Sequence, residues 1–225
     1  MQTATAAIQI HAAERAGVPT PEPEPAPAPV VPLPEDEGVR IRPITVDEYY
    51  RMDDAGIFDP DERVELLDGQ LIAVPPEGPP HSSASMRLNE GLVRCFAGRA
   101  MVRAGNAMRL GPISAPQPDF AVVRSRDDWY GSALPTPSDV LILIEVSHAT
   151  LRFDRGRKLR AYAAAGIPEV WIVDLVHRRV EVYTDPHDGA YPPARVAGIG
   201  DSITPRAFPD DAIPVASFLP AQTSS

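Results

Sequence analysis

The chain is poor in the residues that would cross-link it or carry it through a membrane. It has one cysteine, Cys95, among 225 residues, which excludes an internal disulfide framework and points to a reducing compartment. No apolar run approaches the roughly 20 residues of a spanning helix. The first ten residues hold no Lys or Arg, so the basic start of a signal peptide is missing. The expectation is a soluble, cytoplasmic protein that binds no membrane. Lysine is as scarce as cysteine: of 21 Lys+Arg residues only Lys158 is a lysine.

Proline, by contrast, is abundant, with 27 residues, too many for one compact domain. Residues 19–38 alternate proline with acids and small residues, a pattern read as an extended, polyproline-II-like linker. Residues 1–18 have the composition of a short frayed helix. Residues 1–40 are therefore taken as a disordered Pro-rich arm and residues 41–225 as the folded domain. The net charge of −10 argues against indiscriminate nucleic-acid binding. Its distribution is uneven, since residues 79–160 hold 7 acids and 12 bases.

Local signals outline the elements. Thr45 and Glu48 form a capping-box pattern that opens a helix running to about Ala55, with Gly56 closing it. RVELLDGQLIAV reads as two strands around Asp68-Gly69, the preferred dipeptide of a type I′ hairpin. A two-residue loop sets Leu67 opposite Gln70 and Glu65 opposite Ile72. A second helix is expected to be capped by Ser82 or Ser83. Its Ala84, Leu88, Leu92, Cys95 and Phe96 share one buried face, with Cys95 as core; His81, at the helix entrance, reads as a loop histidine, with a supporting place behind the site as the alternative. Residues 101–110 and 118–123 read as strands, and Trp129 and Tyr130 as loop anchors with faces suited to stacking on a base.

The most informative stretch is SDVLILIEVSHATLRFDRGRK. Val140–Ile144 is an apolar run of the kind buried on both faces of a sheet, and a carboxylate, Glu145, follows it directly. A charge there is costly unless a cation or metal pairs with it. A helix is expected from about Asp154 to Ala165, carrying Lys158, then a strand EVWIVDL paired with RRVEVYT. Asp119, at the start of the preceding strand, and Glu145 converge if their strands are neighbours. Two converging oxygen donors suit Mg²⁺ or Mn²⁺. A lysine beside them can orient or deprotonate a water, which a guanidinium does poorly. These are the parts that metal-assisted phosphodiester hydrolysis needs.

PDFAVV, LILIEVS, DRGRKLRAYAAAGIPEVWIVD and VELLDGQLI together resemble the Uma2 family, of the restriction-endonuclease-like PD-(D/E)XK nuclease superfamily, over about residues 44–219. The resemblance implies an α/β fold: a central mixed sheet flanked by helices, preceded by a helix and a β-hairpin. It equates Pro118-Asp119 with the PD element and Glu145 with the (D/E). The superfamily's simple pattern puts lysine where this chain has Ser147; in the family it has moved to the next helix, where Lys158 stands. Glu65 matches the family's acidic hairpin residue, with an accessory role at the metal. Gln70 replaces a common acid, and His148-Ala149 replaces a Ser-Pro pair. The implied function is a Mg²⁺-dependent DNA endonuclease, homodimeric, without a small-molecule cofactor. Asp119 and Glu145 hold the metal and Lys158 positions water. Arg152, Arg155, Arg157 and Arg160, by their place around the expected helix, either meet phosphates or form a solvated helix face. Two other classes stay open: a nuclease-fold binding module without chemistry, and a metal-free hydrolase using two carboxylates.

Overall fold

The structure is a computed structural model that describes residues 41–219. The N-terminal arm and the residues beyond 219 lie outside it. Helix α1 (Val46–Asp54) begins as its capping box requires: Glu48 N donates to Thr45 Oγ1 at 3.2 Å, and Glu48 Oε2 accepts from Thr45 N at 2.9 Å. Strands β1 (Arg63–Leu67) and β2 (Gln70–Val74) pair in the register read from the loop, Leu67 with Gln70 and Glu65 with Ile72. Asp68 and Gly69 have φ of 53° and 72°, as a type I′ turn demands. Strand alternation sends Val64 and Leu66 into a small core with Val46, Tyr49 and Ala115, and Glu65 to the opposite face.

Helix α2 (Pro79–Phe96) starts before the expected serine cap, at an N-cap Gly78 with no side-chain bond. Two prolines at its first positions preset the helical φ and lack the N–H groups a cap would serve. His81 is consequently helical, not part of the loop. Ala84, Leu88, Leu92 and Phe96 are buried as one face, and Cys95 packs at its margin.

The remaining strands form one six-stranded sheet in the order β3-β4-β5-β6-β7-β8. They are β3 (Ala100–Ala104), β4 (Phe120–Arg124), β5 (Val140–Ser147), β6 (Glu169–Asp174), β7 (Arg179–Thr184) and β8 (Arg195–Gly198). β5 and β6 are parallel and the other neighbours antiparallel, so the sheet is mixed. The strand expected over 101–110 ends at Ala104, because Gly105 turns the chain with φ +60°. Phe120, Val122, Ile142, Ile144 and Val146 face α2, while Ala121, Leu143 and Val170 face the crossover between β5 and β6.

That crossover is helical from Leu151, three residues earlier than expected. It comprises α3 (Leu151–Phe153), a π-helical segment (Asp154–Lys158) and α4 (Leu159–Ala164). Asp154, where the helix was expected to begin, lies within it. Its carboxylate turns inward and accepts from Ser147 Oγ at 2.7 Å and Thr150 Oγ1 at 2.6 Å.

Trp129 and Tyr130 both take positive φ in the β4–β5 loop. Tyr130 is a buried anchor, its hydroxyl bonded to Arg124 O at 2.8 Å, whereas Trp129 is 78% exposed. Val123 pairs with Val140 beside this loop and Phe120 with Ile144 at the far end of β4. The loop and the Asp119–Glu145 end are therefore at opposite ends of the strands.

The hairpin turn supplies a stability test. A Cβ on Gly69 would lie 2.3 Å from Pro43 Cβ, whereas one on Gly98, with the same φ of 72°, would meet nothing within 4 Å. Gly69→Ala is expected to destabilise by well over ~1 kcal/mol and by more than Gly98→Ala. Urea midpoints of the two variants check the order, and equal losses would mean the Pro43 contact is easily relieved.

Candidate active site

Asp119 immediately precedes β4, and Val146 N donates to its Oδ2 at 2.7 Å. The main chain of β5 thus fixes one carboxylate oxygen and leaves the other, Oδ1, to face the cavity. Glu145 lies within β5 rather than at its end, since the strand runs on to Ser147. It shares the sheet face of Leu143, the side covered by the crossover helix.

From that helix Asp154, Lys158 and Tyr162, spaced four apart, all turn inward and are buried. Lys158 Nζ is 3.2 Å from Glu145 and 3.2 Å from Glu65 Oε1. The Tyr162 hydroxyl donates to Glu145 Oε1. The π segment widens the helix at the lysine, a local irregularity that recurs at functional sites. Glu65 is 1% exposed. Despite the contact with Lys158, neither of its oxygens receives a hydrogen bond of good geometry.

Electrostatics follow from burial. Desolvation pushes the Glu145 carboxyl well above its ordinary pKa; Lys158 opposes the rise, and Asp154, Asp119 and Glu65 add to it. Glu65 is likewise raised by burial against the pull of Lys158, and Asp154 chiefly by burial. For Lys158, burial disfavours the ammonium, but Glu145 and Glu65 outweigh it and hold the pKa above that of free lysine. Lys158 is therefore a charged hydrogen-bond donor in this arrangement, not a base.

Glu65, Asp119, Glu145, Asp154 and Lys158 all line one cavity, together with Glu77, His81, Gln117 and His148. Its roughly 80 Å³ suits an ion with a few waters. The lining carries five carboxylates against two basic side chains, Arg63 and Lys158. That excess of negative charge, with the two unbonded oxygens of Glu65, fits a divalent cation. Asp119, Glu145 and Glu65 are the inner carboxylates that could hold one, and His81 and Glu77 stand beside Asp119 at the rim with further donor atoms.

Sequence reasoning missed Glu77 and preferred a loop histidine to a supporting site residue at His81. His81 Nε2 lies 3.2 Å from Asp119 Oδ1, and Nδ1 lies 3.0 Å from Glu77 Oε2. Among the described residues, Glu77, His81 and Asp119 form a cluster whose potential ligand atoms all lie within 4.8 Å of one another. The spacing Glu77-x-x-x-His81 was a usable signal once the two prolines between them were read as a helix start. Tyr162 was also missed, although the spacing of four from Asp154 through Lys158 marks it.

The four arginines expected to face phosphates divide. Arg155 is committed internally: Nε donates to Glu181 Oε2 at 2.8 Å and Nη2 to Asp174 Oδ2 at 2.7 Å. Arg157 reaches back to the hairpin, with Nη1 3.1 Å from Gln70 Oε1 and Nη2 3.3 Å from Leu67 O. Arg152 and Arg160 are exposed. With Arg157 and Gly156 they border a shallow groove that shares Ala149, Thr150 and Phe153 with the acidic cavity. Gln70 lies outside the cavity, while His148 and Ala149 line it.

The fold and the site define a class, an α/β protein of the restriction-endonuclease-like kind. A crystal structure from Anabaena variabilis ATCC 29413, described as "a putative nuclease belonging to DUF820", superposes with a TM-score of 0.63. The match covers 78% of this chain and 97% of that one, at 14% identity. The Uma2 family model, described as "Putative restriction endonuclease", matches residues 46–216, and the chain belongs to that family. No curated protein matches the chain.

The buried triad generates a pH-dependent prediction. Lys158→Met leaves Glu65 and Glu145 without their ammonium, at a cost of about 3–5 kcal/mol. Both carboxyls then rise further above their ordinary 4.5. The native state binds more protons than the unfolded chain between 4.5 and the raised values, so stability relative to wild type falls as pH rises through that window. Urea melts at pH 4.5 and pH 8 measure it; a deficit smaller at pH 8 would contradict the assigned charges.

Proposed function

We propose that the chain is a metal-dependent endonuclease that hydrolyses DNA phosphodiester bonds at the cavity holding Glu65, Asp119, Glu145 and Lys158. The observation that carries this reading is the meeting of Asp119, Glu145 and Lys158 in one acidic cavity, though they come from three different elements. The family and the fold support a nuclease-like function.

A divalent ion, Mg²⁺ or Mn²⁺, held by Asp119 and Glu145 would supply charge neutralisation at the phosphate and a more acidic water. The chain's own residues account for the rest. The main chain at Val146 and the hydroxyl of Tyr162 orient the two carboxylates, so little reorganisation is needed on binding. Lys158, as an ammonium, donates to the attacking oxygen or to a phosphate oxygen. Glu65 keeps that ammonium charged and aimed. The cavity is too small for a base, so the scissile phosphate meets it at the mouth, where Arg152 and Arg160 stand free of partners among the described residues. Cutting both strands takes two such sites, and a homodimer is the arrangement proposed.

Supercoiled plasmid and single-stranded DNA, incubated with Mg²⁺, Mn²⁺ or EDTA, test the reading on wild type and Asp119→Asn. Metal-dependent cleavage that falls at least about 100-fold in the variant is expected. Linear product formed together with nicked circles reports paired sites, whereas nicking alone removes the homodimer. No cleavage of either substrate, or equal activity in both proteins, overturns the nuclease reading.

The groove makes a separate prediction about binding. An Arg152→Gln/Arg160→Gln double variant, assayed in Ca²⁺, is expected to lower the slope of log K against log salt by about 2. An unchanged slope would place the DNA on another face.

A further inference from the structure

His81 is the one side chain at the cavity that can offer a metal an imidazole nitrogen while being held on its other side. We propose that His81 Nε2 and Asp119 Oδ1 form one edge of the metal site, with Glu77 as the positioning residue behind the imidazole. The site accordingly takes a first-row transition ion, for which Mn²⁺ is the probe, in preference to Mg²⁺. This rests on the nuclease reading only for the ion's purpose, since binding is measurable without DNA.

The distances carry the argument. Adjacent ligands of an octahedral ion, each roughly 2.1 Å from it, are about 3 Å apart; His81 Nε2 and Asp119 Oδ1 are 3.2 Å apart. Each is braced from behind. Asp119 Oδ2 is held by Val146 N at 2.7 Å, and His81 Nδ1 lies 3.0 Å from Glu77 Oε2. Glu77 is in turn paired with Arg63. A carboxylate on the far nitrogen of a histidine is the arrangement that fixes the tautomer and aims the free nitrogen at a metal.

A second observation points the same way from across the cavity. Glu65, buried and reached by Lys158 at 3.2 Å but with no hydrogen bond of good geometry to either oxygen, lines the same space. Glu145, in contrast, is occupied by Lys158 and Tyr162, which leaves the His81–Asp119 edge as the more available pair of donors. The ligand chemistry then sets the preference. Mg²⁺ binds almost entirely through oxygen and keeps its waters, whereas an imidazole nitrogen favours the transition ions.

The test uses the full chain and the metals alone. Mn²⁺ and Mg²⁺ are titrated by calorimetry into wild type, His81→Gln and Glu77→Gln, and bound Mn²⁺ is examined by electron spin echo envelope modulation. Wild type is expected to bind Mn²⁺ at least about tenfold tighter than Mg²⁺ and to show nitrogen coupling from an imidazole. His81→Gln should abolish that coupling and bring the two affinities together. Glu77→Gln should weaken Mn²⁺ by about tenfold while the coupling persists. The wild-type spectrum needs no variant to fold, and absence of nitrogen coupling there overturns the proposal. Equal wild-type affinities, or a His81→Gln loss identical for both ions, overturn it as well. Nitrogen coupling in a protein that cuts no DNA would sustain the metal site and remove the nuclease reading instead.

Discussion

Lys158 lies between two carboxylates that come from different layers of the molecule, Glu65 from the hairpin and Glu145 from the central sheet. Burying any of these charges alone would cost several kcal/mol. Together they are tolerable only if hairpin, sheet and crossover helix dock in one arrangement. The π segment at Asp154–Lys158 and the inward turn of Asp154 onto Ser147 and Thr150 are local departures that serve this contact. A lysine suits the position because a compact ammonium needs less room between two buried carboxylates than a planar guanidinium does.

The same contact explains why the cavity remains acidic. Lys158 and Arg63 cannot balance five carboxylates, and Arg155, next to Asp154 in sequence, is drawn away to Asp174 and Glu181 on β6 and β7. Ile172, beside Glu145 in one register and beside Glu181 in the other, separates the two charge clusters. One cluster is neutralised internally and binds helix to sheet. The other keeps an excess of negative charge at an opening.

Much of the fold was legible because its signals are short-range. Thr45 and Glu48, Asp68-Gly69 and the apolar stripe of Ala84, Leu88, Leu92 and Phe96 each act within a turn or two, and each formed as read. The errors arose where a local rule had a local competitor. Two prolines replaced the serine cap of α2, and the crossover turned helical at Leu151, ahead of Asp154. The first shift made His81 helical and brought it beside Asp119.

The sequence alone determined the class of the chain, the order of its elements, the hairpin register and the identities of Asp119, Glu145 and Lys158 as residues needing an explanation. The class rests on the resemblance of an ordered set of motifs to a known family; the other features depend on spacings of a few residues, which survive without any knowledge of packing. Only the tertiary structure decided that Glu65 shares Lys158 with Glu145, that His81 and Glu77 join Asp119, and that Arg155 serves the core while Arg152 and Arg160 remain exposed. Such choices depend on strand register and on how the hairpin and helix dock across the sheet. They are made by many contacts between residues distant in sequence, and no single stretch of the chain encodes them.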